Sequence, residues 1–78
     1  MIDYKAPEDV KESLTLLYSL RNELPDIVIE PIKDLVYDYR AKMHRWISGG
    51  TEPNWDYYRC EINNICHEAE MPPLCEMD

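Results

Sequence analysis

The stretch NWDYYRCEINNICHE, residues 54–68, places two cysteines and a histidine among three carboxylates and three large aromatic side chains. Such residues serve metal ligation, thiol nucleophilicity and redox exchange, and each of these imposes a geometry. Structural zinc usually takes paired ligand units of the type C-x2–4-C or H-x3–5-H. Here the spacing is C-x5-C-H-x7-C, running from Cys60 through Cys66 and His67 to Cys75. On a helix, Cys60 and His67 share a face but stand two turns, ~10 Å, apart, and Cys66 points about 120° away from Cys60. Only a broken helix with Cys75 folded back would gather all four. A cysteine–histidine nucleophilic pair meets the same obstacle, because Cys66 and His67 are chain neighbours whose side chains diverge. His44 is the one other histidine, and nothing in the sequence brings it to a thiol. Neither a glycine-rich phosphate loop nor a strand–turn–helix nucleophile motif is present. The expectation is no catalytic residue, no metal site and no cofactor. Cys66 then borders the apolar stripe as a small core residue, while Cys60 and His67 occupy the polar flank.

That stretch has to be carried by a helix, and the chain offers three. The first is expected over residues 7–24. Pro7 suits a first turn, Glu8 and Asp9 complement the helix dipole, and Val10, Leu14, Leu17, Leu20 and Leu24 recur on one side. The second is expected over 31–48, opened by Pro31 and closed by Gly49-Gly50. Its stripe of Ile32, Leu35, Val36, Tyr39, Met43, Trp46 and Ile47 is the cleanest amphipathic pattern in the chain. The preceding Asp26-Ile27-Val28-Ile29 reads either as an extended linker or as an earlier, kinked turn of that helix. The third is expected over 54–70, capped by Thr51 or Asn54, with Trp55, Tyr58, Ile62, Ile65 and Ala69 inward and Pro72-Pro73 as its stop. Residues 74–78, LCEMD, read as a short mobile tail. The architecture this predicts is all-α, a single-domain antiparallel three-helix bundle, with Trp46 and Trp55 largely buried near the second connection.

Composition narrows the class. Seventy-eight residues make one domain with a modest core, for which self-association is a natural support. No run of eighteen apolar residues is present, and the polar start MIDYKAPEDV lacks an apolar signal core, so neither a membrane span nor secretion is expected. An odd count of three cysteines fits free thiols in a reducing, cytoplasmic setting. The net charge is −8 and unevenly spread: residues 1–46 carry nine acids and seven bases, and residues 47–78 carry seven acids against Arg59 alone. A helix-turn-helix reading fails on this charge, since the third helix would repel phosphate, and direct nucleic-acid binding is not expected.

Two surfaces remain for a protein partner. On the second helix Lys33, Tyr37, Arg40 and His44 lie at i, i+4, i+7 and i+11 and form one flank, the only concentrated positive surface in the chain. Tyrosine and arginine are the types favoured at binding hot spots. Leu16 and Tyr18, at opposite edges of the first helix's stripe, widen its apolar arc to about 200° and offer apolar support. The alternative surface is acidic: Asp56, Glu61, Glu68 and Glu70, extended by Glu76 and Asp78, would imitate nucleic-acid phosphates in a basic groove of a DNA- or RNA-binding enzyme.

The short, acidic, cysteine-containing character resembles small phage or mobile-element proteins that bind and inhibit host machinery. The resemblance is one of general character and carries no functional residue over. It implies a non-enzymatic interaction module, an inhibitor or regulator of a larger protein. An antitoxin or a structural subunit would share the same character.

Overall fold

A computed structural model describes residues 4–76. Three helices, α1 (Glu8–Leu20), α2 (Asp26–Ile47) and α3 (Trp55–Glu68), form an all-α bundle in which each helix packs against the other two. Asp9 at the start of α1 meets Arg59 near the start of α3, and Trp46 at the end of α2 meets Trp55 at the start of α3. Hence α1 and α3 run the same way and α2 runs against both. Val10, Leu14 and Leu17 from α1, Val28, Ile32, Leu35 and Val36 from α2, and Tyr58, Ile62, Ile65 and Cys66 from α3 make the core.

The helix ends depart from the sequence expectation for identifiable reasons. α1 stops at Leu20, and a single 3-10 turn, Arg21–Glu23, replaces the expected last α-helical turn. Leu24 is extended (φ −100, ψ 164) because the residue before a proline clashes in the helical region. α2 begins at Asp26, five residues before the expected start, with Pro25 as its N-cap. Of the two readings of residues 26–29, the helical turn is the one observed. Pro31 therefore sits inside the helix and removes the hydrogen bond to the carbonyl of Ile27, a loss of about 3 kcal/mol in a mid-helix setting. Burial of Val28 offsets it, since a fully buried valine contributes about 1.5–3 kcal/mol.

α2 closes in a Schellman motif: Gly50 N–H donates to the Arg45 carbonyl (2.9 Å) and Gly49 N–H to that of Trp46 (3.0 Å). Gly49 takes φ +106, and a Cβ on Gly50 would stand 2.8 Å from the Arg45 carbonyl oxygen, so both glycines are required. Asn54, rather than Thr51, caps α3; its Oδ1 accepts from the backbone N–H of Asp56 (3.1 Å) and Tyr57 (3.4 Å). The same closing motif ends α3 at Glu68 instead of residue 70, with Met71 N–H on the Cys66 carbonyl (2.8 Å). Here Glu70 occupies the left-handed position (φ 59) that glycine would fill without strain.

Three further expectations are corrected. Residues 71–76 are not a free tail. Met71 and Leu74 pack against the core, and Cys75 is 4% exposed. The Asn63 side chain clamps the Cys75 backbone, donating Nδ2–H to its carbonyl (2.9 Å) and accepting its N–H (3.1 Å). Residues 77 and 78, including Asp78, lie outside the described residues. Trp46 and Trp55 do sit near the second connection, but both are half-buried. They belong to a run of ring contacts that passes from Tyr4 through Trp46 and Trp55 to Tyr39 and Tyr58, with centroids 5.1–6.5 Å apart. α2 is longer than its neighbours, and among the described residues its last turns pack on this aromatic end-cap. Ile47, assigned to the stripe by periodicity, is 54% exposed.

Candidate partner-binding surface

The outer flank of α2 keeps the sequence-predicted residues together. Lys33, Tyr37, Arg40 and His44 are all exposed. Tyr37 is the most exposed of the large hydrophobic side chains described, at 80%. Tyr37, Arg40 and His44 line a shallow groove with Ala41, Arg45 and Ser48. Two arginines and a histidine thus flank an aromatic ring over a small-residue floor at Ala41. Lys33 continues the flank one turn before Tyr37.

The packing of α1 on α2 adds Tyr18 to this surface and leaves Leu16 out. Tyr18 is half-buried and packs against the core. The Arg21 guanidinium stands 4.0 Å above its ring, and that of Arg40 stands 6.0 Å from it. A second groove, between α1 and α2, runs over Lys11, Tyr18, Ser19, Val36, Tyr39 and Arg40. Arg40 is the residue common to the two grooves, which therefore form one surface. Leu16, 42% exposed, stands about 200° round α1 from Tyr18 and faces away from it. Ala41, Arg45 and Ser48 are the members that sequence reasoning missed. They continue from Tyr37 at i+4, i+8 and i+11, a helical spacing legible in the sequence.

The acidic alternative does not form one row. Of its carboxylates, Asp56 is held by Arg59, together with Asp9 of α1, near the α1–α3 seam. Its Nε and Nη2 donate to Asp9 (2.8 and 3.3 Å), and its Nη1 donates to Asp56 (3.0 Å). These bonds from Arg59 hold the Asp9 carboxyl below its usual value. Glu61 lines a groove with Pro31, Asp34, Leu35, Asp38 and Tyr57 on the other side of α3. Glu68 shares the angular position of Glu61 two turns on, while Glu70 lies beyond the helix end. Glu76 is exposed on the packed C-terminal segment.

The opening stretch separates into the parts its periodicity implied. Cys60 and His67 are exposed, and Cys66 is fully buried. The Cys75 thiol lies 3.6 Å from the Ser13 hydroxyl and 3.9 Å from the carbonyl of Asp9. Among the described residues no group of three or more His, Cys, Asp or Glu side chains is arranged to hold a metal ion, and no helix is long and apolar enough to cross a membrane. Burial pushes the Cys66 and Cys75 thiols up, so both stay protonated and shielded. One labelling result is therefore expected. A maleimide or alkylating reagent modifies Cys60 alone in the native protein, and all three thiols after unfolding, as read by intact mass. Native labelling of Cys66 would contradict its place in the core.

Protein-family models, curated proteins and solved structures were all compared with the chain, and none matches it.

Proposed function

We propose that this chain is a non-catalytic protein-interaction module that docks an acidic surface of a larger protein on the outer face of α2 and so regulates or inhibits that partner. The observation that carries the reading is Tyr37. An aromatic ring left 80% exposed on a folded helix, among Arg40, His44 and Arg45, has the composition of a binding hot spot. Tyrosine supplies a large contact area with few rotatable bonds. Arginine supplies a planar fork for carboxylates. The grooves are shallow and open to solvent, which supports binding over catalysis.

The test is affinity capture with the natural chain, followed by a binding measurement on the captured protein. Tyr37→Ala and Arg40→Glu are each expected to weaken binding by about 30-fold or more, as hot-spot truncation does. Glu61→Lys with Glu68→Lys is expected to leave it nearly unchanged. The opposite pattern, with loss on reversing the two glutamates and steep weakening in salt, would replace this reading by the nucleic-acid-mimic one.

A further inference from the structure

We infer that the same outer face of α2 pairs with a second copy of this chain, the two helices lying antiparallel about a twofold axis near Tyr37 and Ala41. The inference rests on the reading of this face as a docking surface, but not on the identity of any outside partner. Its first support is spacing. Glu30, Asp34, Tyr37, Ala41, His44 and Ser48 follow one another at intervals of four, three, four, three and four residues, and all six are exposed. That is the interval of a helix-pairing seam, and it lies opposite the stripe that packs into the bundle. Antiparallel overlap of two such seams sets the large Tyr37 of each copy against the small Ala41 of the other, twice.

The second support is charge. Along this face the first half of α2 carries Glu30 and Asp34, and the second half carries Arg40 and Arg45. Lys33 is the one cation of the first half, at the α1 edge. Asp38, the one acid of the second half, is turned toward α3 and accepts a hydrogen bond from the Tyr58 hydroxyl (2.8 Å). A helix with opposite charge at its two ends is self-complementary only when its partner runs the other way. An antiparallel pair then brings acid to base at both ends, whereas a parallel pair would set like against like. The arrangement is isologous and closes at two copies. A chain this short, with a small core, gains support from such a contact.

Sedimentation equilibrium of the full chain tests this. The mass is expected to rise from 9.3 kDa to twice that value with concentration and to go no further. Two variants divide the charge: Glu30→Lys with Asp34→Lys, and Arg40→Glu with Arg45→Glu. All four positions are exposed, so circular dichroism should show unchanged helix content. Each variant alone is expected to self-associate at least tenfold more weakly than the natural chain. Mixed in equal amounts they are expected to form a mixed pair, because both ends of the interface then join acid to base. The Glu30→Lys, Asp34→Lys variant brings the net charge of −8 closer to zero, so overall repulsion does not account for its weaker self-association. A chain that stays monomeric up to about 1 mM, a mixture that does not pair, or masses growing beyond two copies would each overturn the proposal. A monomer that still loses its captured partner on Tyr37→Ala sinks this pairing alone. A dimer that captures no partner supports the pairing while removing the function proposed above.

Discussion

Tyr58→Ala is expected to lower the unfolding free energy by roughly 3–5 kcal/mol, measured by urea or thermal denaturation. Tyr58 is 1% exposed and is the largest of the fully buried side chains. Its ring lies in the α2–α3 seam, edge-on to Tyr39 at 6.0 Å and beside Trp55 at 6.0 Å. Truncation opens a cavity at the point where the core joins the aromatic end-cap, and the rigid helices on either side close it only in part. For a domain whose total stability is on the order of 5–10 kcal/mol, that loss leaves a marginal fold. Tyr58→Phe separates the two roles of the residue. It keeps the ring and removes only the hydroxyl that donates to Asp38, and since Asp38 is half-exposed, water replaces the lost donor. A cost of about 1 kcal/mol is expected there. Burial and the Asp38 carboxylate both push the Tyr58 phenol far above its ordinary value, so the hydroxyl keeps its proton and stays a donor into alkaline pH. A Tyr58→Ala variant as stable as Tyr58→Phe would show that the ring is not a core residue.

How much of this was legible in the sequence follows from which interactions are local. The central turns of α2 and α3 were, because Ile32, Leu35 and Val36, and then Tyr58, Ile62 and Ile65, repeat at the helical interval and are all buried. The start of α2 was obscured by Pro31, a residue that usually opens a helix. Yet Val28 stands one turn before Ile32 on the same stripe, and its burial carries the helix back through the proline. Periodicity also overstated the far end of α2. It specifies which face a residue takes, but not whether another element lies opposite, and Ile47 stays 54% exposed. The binding flank was legible for the same reason that the core was: Lys33, Tyr37, Arg40 and His44 are set by one helix. Tyr18 joins that flank only through the packing of α1 on α2, and the sequence does not encode that contact in any local spacing.

The packed C-terminal segment is the clearest case of a long-range interaction with no sequence period, and Asn63→Ala is expected to release it. Asn63 lies on α3, three residues before Cys66, so it and Cys66 are neighbours along one side of the helix. By pairing both backbone groups of Cys75, its amide does for residues 74–76 what a neighbouring strand would do in a sheet. Leu74 and Cys75 are thereby laid over Cys66 and against Ser13 on α1. Alanine removes both hydrogen bonds and leaves the N–H and carbonyl of Cys75 without these partners, at a cost of about 2 kcal/mol. Water then competes for the Cys75 backbone, and the segment leaves the bundle more often. Native thiol labelling reads that directly. Cys75, and Cys66 beneath it, should react many-fold faster than in the natural chain, while Cys60, exposed in either case, should keep its rate. Asn63→Asp provides the graded control, because a carboxylate still accepts the Cys75 N–H but cannot donate to its carbonyl. Its labelling rate should fall between those of the natural chain and Asn63→Ala. If Cys75 remains as protected in Asn63→Ala as in the natural chain, apolar packing of Met71 and Leu74 holds the segment by itself, and the amide clamp is dispensable.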